Sequence, residues 1–217
     1  LNRHNEPQVI YDTNVGLVQE LIKALVKTKS KAHVLFSSST QEEKDNPYGK
    51  SKKEGRKLMV GWAKKSGGKF TGMIIPNVFG PFGRPYYNSV VATFCHRLTH
   101  NETPTIVTDA VMKLIYVGEL VAEIIKEIRS ESGKEEVLVG HTSVAKVSNI
   151  LSLLEIYKAQ YQDNAEIPSI NSTFELNLFN TFRSYMDIAN QFPVKFIQHS
   201  DERGSFVEVI RLGIGGQ

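Results

Sequence analysis

Three residues have the types and spacing to move a proton together: Ser39, Tyr48 and Lys52. Ser39 is the last of the cluster Ser37-Ser38-Ser39, which closes the short apolar run Ala32 to Phe36. Tyr48 follows nine positions later, and Lys52 four after that. Residues four apart share one face of a helix, so the phenol and the ammonium point the same way. A free phenol, with a pKa near ~10, exchanges protons poorly at neutral pH. A fixed cation beside it stabilises the phenolate and brings the group toward a useful range. A serine hydroxyl at a strand end can hydrogen-bond the oxygen of a carbonyl or alcohol. Side chains supply no hydride, so a redox step here needs a nicotinamide. The expected reaction is ketone plus hydride plus proton giving alcohol, or its reverse. Tyr-x-x-x-Lys alone recurs by chance; the preceding strand, the serine cluster and the interval between them narrow it.

The elements that must hold these groups are legible in the pattern of apolar residues. Asp12-Thr13-Asn14 reads as a helix cap, with Val15, Val18, Ile22 and Leu25 among the helically spaced residues after it. Ala32 to Phe36 reads as a buried strand that stops at the serines. A polar loop, Gln41 to Asn46, leads to Pro47, which is favourable at a helix start because its missing N–H has no helical partner there. A helix from Lys50 to Lys65 follows, with Lys50, Lys53, Arg56 and Lys57 on its wet face. Strands are expected at Phe70–Ile75, Lys113–Val117 and Glu136–Val139. Helices are expected at Ser89–His100, Gly118–Arg129 and Val144–Tyr161. This alternation argues for a parallel sheet covered by helices, with ligands beyond the carboxyl ends of its strands, where Ser39 lies. From Gln191 the character changes: Val194–His199 and Ser205–Leu212 read as strands around the turn Asp201-Glu202-Arg203-Gly204, a hairpin that opens a different domain. The expected division is therefore 1–191 and 192–217.

Composition sets the outer bounds. The chain has 217 residues, 41% of them hydrophobic and 23% charged, and a mean hydropathy of −0.24. A net charge of +3 is too small a bias to imply nucleic acid or a membrane surface as partner. The one cysteine, Cys95, sits in an apolar run and reads as a buried structural thiol. It permits no disulfide framework and fits a reducing cytoplasm. No stretch is apolar for the roughly 18–20 residues of a membrane span.

Val34-Leu35-Phe36-Ser37-Ser38-Ser39, then Tyr48-Gly49-Lys50-Ser51-Lys52, then Pro76-Asn77-Val78-Phe79-Gly80-Pro81 resemble the extended short-chain dehydrogenase/reductase family, which works mostly on nucleotide sugars. The resemblance implies a Rossmann-like, doubly wound α/β sheet. It gives Ser39 the catalytic serine role and Tyr48 the acid/base role, and it makes Lys52 the residue that binds the nicotinamide ribose and tunes Tyr48. Pro76 and Arg3 fall beside the cofactor by the same resemblance. Asn77 matches a position that lies against the substrate's diphosphate or sugar, although a turn residue before Gly80 is an equal reading. Arg84 and Asn88 fall on the substrate side; a guanidinium pairs well with phosphate oxygens, and Arg84 reads equally as a solvated loop residue.

Asp45 to Lys53 and Arg84 to His96 are similar to one capsular-polysaccharide branch of the family, reductases of a UDP-N-acetyl-4-keto-6-deoxyhexosamine that carry a second, cupin domain. Asp201 to Glu208 resembles the opening of sugar-nucleotide cupins, though taken by itself it is a simple β-turn. The branch implies NADPH (or NADH) as reductant and a UDP-linked 2-acetamido-2,6-dideoxy sugar as substrate. It further implies capsular or O-antigen precursor synthesis, a cupin that assists C3 epimerisation, a homodimer and a cytoplasmic location. No metal site is expected in these residues; a metal would belong to the rest of the cupin barrel.

The family's Gly-x-x-Gly-x-x-Gly loop, a diphosphate cradle at a helix start, does not occur, and Gly213 to Gly216 precede no helix. With Leu1 rather than Met in first place, the expectation is a nucleotide-binding domain incomplete at its N-terminus, followed by the opening strands of a β cupin domain. Two rival readings stand beside the reductase. One is a nucleotide-sugar epimerase or dehydratase with tightly held NAD, although Thr40-Gln41 after Ser39 lacks the acidic pair usual in dehydratases. The other is an inactive fragment or a non-enzymatic interaction module.

Overall fold

The computed structural model describes residues 1, 3–130 and 132–212, and the glycines from Gly213 onward lie outside the described residues. Two units organise the chain: Leu1–Val78 with Val117–His141, and Phe79–Tyr116 with the residues from Thr142 onward.

The first unit begins with α1 (Pro7–Lys27). The helix starts earlier than Asp12-Thr13-Asn14 predicts: Glu6 is its cap and Pro7 its first residue. Proline brings a helical φ and no orphan N–H to that position, while Ile10, Val15 and Val18 form its buried stripe. Next comes β1 (His33–Ser39), which runs through the serines instead of stopping before them. A 3₁₀ turn, Thr40–Glu43, connects it to α2 (Pro47–Ser66). The Asn46 side chain accepts the Gly49 N–H at 2.8 Å, which satisfies one orphan donor at the helix start. Gly67 ends the helix at φ 69°, where the absence of a Cβ makes the left-handed turn cheap. β2 (Lys69–Ile75) pairs parallel with β1, from His33↔Lys69 to Ser39↔Ile75. This continuous register is what carries β1 to Ser39.

The chain leaves the unit through β3 (Asn77–Phe79). It passes through α3 (Val90–Thr99) and β4 (Val111–Tyr116), and returns as α4 (Val117–Arg129) and β5 (Lys134–Leu138). β5 pairs parallel with β2 and gives the order β1-β2-β5. The observed sheet is thus parallel, the Rossmann-like arrangement expected of alternating strands and helices. Val18, Met59, Trp62 and Phe70 form the core against which α1 and α2 pack.

In the second unit, β6 (Ser143–Lys146) pairs antiparallel with β4, in a sheet ordered β3-β4-β6. Val144–Tyr161 is therefore not one helix. Val144 and Ala145 belong to the ladder, α5 covers Val147–Tyr157, and a π-helical stretch runs on through Lys158–Asp163. The pairing with β4 overrides a helical period that α5 shares only in part. After β7 (Glu166–Ile167) comes α6 (Thr173–Arg183), a helix the apolar pattern did not reveal. Ser172 caps it, and its Leu178, Phe179 and Phe182 complete a core with Ile150, Leu154 and Tyr157 of α5. Cys95 lies in the same core, as predicted, and burial pushes its thiol well above the ordinary range.

A short α7 (Ile188–Gln191) precedes the tail. There β8 (Gln198–Asp201) and β9 (Gly204–Val207) form an antiparallel hairpin about the predicted turn. The second strand is shorter than Ser205–Leu212 implies, because β10 (Arg211–Leu212) departs and pairs with β7. Among the described residues, no helix is long and apolar enough to cross a membrane.

Candidate active site

The first unit brings Ser39, Tyr48 and Lys52 to one end of the sheet. Ser39 ends β1, where its hydroxyl oxygen accepts the Gln41 N–H at 3.2 Å and caps the 3₁₀ turn. That bond uses a lone pair and leaves the hydroxyl proton to donate. Tyr48 is the second residue of α2 and is half-buried. One turn on, the Lys52 ammonium lies 5.7 Å from the centroid of the Tyr48 ring and 5.2 Å from that of Phe36. It donates to the Ser37 carbonyl at 2.9 Å, so helix and strand end are tied together by the charged group itself. Burial pushes the Lys52 ammonium below its ordinary value, and the Glu42 carboxylate partly offsets this.

The backbone of Tyr48 has its own support. The Ser51 hydroxyl donates to the Tyr48 carbonyl at 2.8 Å and accepts from the Asn14 side chain of α1 at 2.9 Å. Gly49 makes the local packing possible: a Cβ there would lie 1.9 Å from the Gln41 carbonyl oxygen.

Two residues escaped the sequence reading. Glu42, in the supposed polar loop, is buried, and Arg56, expected on the wet face of α2, is its partner. Their side chains are 2% and 14% exposed. Arg56 donates to Glu42 through Nε at 3.0 Å and Nη2 at 2.8 Å. It also reaches Glu136 of β5 at 3.0 Å. Buried Ser38 donates to the same Glu42 carboxylate. The available signal was spacing: Arg56 stands four residues after Lys52 and so shares its inward face. Lys50, Lys53 and Lys57 behave as expected and face solvent or pair at the surface.

Burial alone would push the Glu42 carboxyl up, but the bonds from Arg56 and Ser38 outweigh it and hold the group below the usual carboxylate range. A carboxyl depressed in this way stabilises the fold above its unfolded value, near ~4.3. That contribution disappears as the pH falls through the folded value. Unfolding in urea, followed by the fluorescence of the single tryptophan Trp62, is therefore expected to need less denaturant below about pH 5. Glu42→Gln should flatten that loss. Equal pH slopes in the two proteins would refute the assignment.

The remaining predicted residues belong to both units. Pro76 is buried between β2 and β3. Asn77 opens β3 and is exposed, with an interaction of its own within the chain. Arg3 is exposed ahead of α1. Arg84 and Asn88 belong to the second unit; both are exposed, and the Arg84 guanidinium sits 5.4 Å from the centroid of the Tyr87 ring.

Comparison with known proteins finds similar chains. The profile of the NAD dependent epimerase/dehydratase family matches residues 1–140. A UDP-2-acetamido-2,6-beta-L-arabino-hexul-4-ose reductase of Pseudomonas aeruginosa is 27% identical over 220 residues, covering all of this chain and 58% of its own length. The capsular polysaccharide assembling protein CapF of Staphylococcus aureus superposes with a TM-score of 0.78 at 32% identity, over 89% of this chain and 54% of that one. A Thermotoga maritima UDP-glucose 4-epimerase, at 21% identity and a TM-score of 0.68 over 83% of this chain and 71% of that one, shares the fold. The chain thus spans little more than half the length of the first two.

Proposed function

This chain belongs to the NAD-dependent epimerase/dehydratase family, and we propose that its Ser39–Tyr48–Lys52 site reduces the 4-keto group of a UDP-linked 2-acetamido-2,6-dideoxy sugar. The observation that carries the reading is the Lys52 ammonium beside the Tyr48 ring, at the strand end that presents Ser39. The likeness to the Pseudomonas reductase along the whole chain supports the choice of substrate.

The site suits the nicotinamide end of a dinucleotide: a lysine, a phenol and a hydroxyl converge at the carboxyl end of a parallel strand, where such ligands bind. When bound, the nicotinamide supplies the hydride that goes to C4. Tyr48 gives its phenolic proton to the carbonyl oxygen, so ketone, hydride and proton balance to alcohol. Ser39 donates to the same oxygen and orients it. Lys52 stabilises the phenolate left behind and holds the cofactor ribose. By the family resemblance we assign Pro76 and Arg3 to the cofactor and Asn77 to the sugar or its diphosphate; Arg84 and Asn88, in the second unit, are assigned to the substrate on the resemblance alone. NADPH is the favoured reductant, with NADH the other candidate.

The CapF likeness supports a place in capsular or O-antigen precursor synthesis. The β8–β9 hairpin supports residues 192–217 as the opening of a cupin domain that assists C3 epimerisation and holds any metal elsewhere in its barrel. We further read the enzyme as a cytoplasmic homodimer.

Absorbance at 340 nm during incubation with NADPH and a UDP-4-keto sugar tests the reaction. Consumption of NADPH matched by alcohol formation is the expected result. Turnover without net consumption would point to an epimerase holding NAD, and failure to bind NADPH would point to an interaction module; either overturns the proposal.

A further inference from the structure

Glu42 is the most buried acid near the site, yet the reaction above gives it no proton to move. Its surroundings join every element that builds the end of the sheet. Ser38 comes from β1 and Arg56 from α2. Through Arg56 the contact extends to Glu136 and the Glu135 carbonyl of β5. The Arg56 stem also lies against β2, where a Cβ on Gly72 would come within 2.7 Å of it. The charged groups that face Glu42 are Arg56, Lys52 and Lys53 of α2; Glu136 and Glu43 act on Arg56.

Two consequences follow from this placement. The stretch from Ser39 to Tyr48 is pinned in its middle, because Glu42 cannot move without breaking the bonds it accepts from Arg56 Nε and Nη2 and from buried Ser38. The charge pattern along α2 is also set. Lys52 and Arg56 lie one turn apart on one face, and without the Glu42 carboxylate the charge of Arg56 would add to that of half-buried Lys52.

We propose that Glu42 is a positioning residue of the reductase site: paired with Arg56 and Ser38, it locks the turn between Ser39 and Tyr48 and cancels the Arg56 charge, so that Lys52 alone acts on the Tyr48 phenol. The inference rests on the reductase reading only for its consequence on turnover; the acidity of Tyr48 can be measured without substrate.

The test is the tyrosine absorbance titration at 295 nm, with the Tyr48→Phe curve subtracted to isolate one phenol of the eight. Glu42→Gln removes one of the two carboxylates paired with Arg56 and makes the surroundings more positive, so Tyr48 should titrate lower than in the wild type, by on the order of half a pH unit. Glu42→Gln/Arg56→Met removes both charges and should return most of that shift. In reduction, where the phenol must be protonated, the alkaline limb of kcat/KM should move down by a similar amount in Glu42→Gln, and Glu42→Asp should restore part of kcat. A purely structural role would lower activity and leave both titrations in place. An unmoved Tyr48 titration in folded Glu42→Gln, or a double variant no closer to wild type than the single one, overturns the proposal. If Glu42→Gln does not fold, the charge-free double variant decides: a Tyr48 titration displaced from wild type there overturns it. Absence of turnover in the wild type would sink the reductase reading and leave the titration standing as the test of Glu42.

Discussion

Tyr48→Phe will lower carbonyl reduction by roughly a hundred- to ten-thousandfold, the usual worth of a positioned general acid, while NADPH affinity changes by no more than a few-fold. The variant keeps the aromatic ring beside the Lys52 ammonium and deletes only the phenolic oxygen. The Lys52–Ser37 bond at 2.9 Å and the Ser51 bond to the Tyr48 carbonyl do not involve that oxygen, so helix and strand end stay tied. Loss should therefore fall on kcat, as expected for an interaction made in the transition state. Single-turnover reduction and NADPH titration by fluorescence separate the two quantities. Turnover in Tyr48→Phe within tenfold of wild type would remove Tyr48 from the chemistry.

Gly49→Ala is the second large effect, and helix propensity predicts its sign wrongly. Alanine in a helix interior is favoured over glycine by about 1 kcal/mol. At Gly49 a Cβ would meet the Gln41 carbonyl oxygen at 1.9 Å and the Lys44 oxygen at 3.3 Å. Both are backbone atoms, so the start of α2 or the turn after Ser39 must move. Overpacking of this kind costs typically 1–3 kcal/mol, occasionally more, and here the displacement separates Ser39 from Tyr48. Gly61, on the same helix, has nothing within 4 Å of an added Cβ. Gly61→Ala should thus raise the urea midpoint, while Gly49→Ala lowers it and abolishes most reduction. If both substitutions stabilise, the close approach of α2 to the turn is not present in solution.

Much of the candidate site was legible because its residues lie close together in sequence. Tyr48 and Lys52 lie one turn apart on a helix whose start is marked by Pro47, and Ser39 ends an apolar run bounded by polar residues. Such features depend on periods of two and 3.6 and on the preferences of single residues. The apolar pattern ends β1 at Phe36, and the strand runs on through the serines to Ser39 because pairing with β2 through Ile75 extends it. The helical reading of Val144 failed for the same reason in the other direction, when the β4 ladder claimed residues whose apolar spacing also suits a helix. α6 was missed because its buried Leu178, Phe179 and Phe182 are interleaved with Asn177, Asn180 and Thr181, which weakens the periodic signal.

By itself, the order of residues determined that a phenol and an ammonium share a helical face, that a serine cluster ends a strand before them, and that strands and helices alternate through the first part of the chain. Only the tertiary structure decided which charges are buried. Glu42 stands fourteen positions before Arg56 and looks like a surface residue in any local window, since acids and bases are seldom buried unless paired. Their pairing depends on the 3₁₀ turn folding back against α2, and that approach is allowed by the missing side chain of Gly49. Contacts between distant segments are set by close packing of whole elements, which no short-range pattern encodes. The Tyr48–Lys52 pair on one helical face was thus readable from the chain, and the buried Glu42 carboxylate was not.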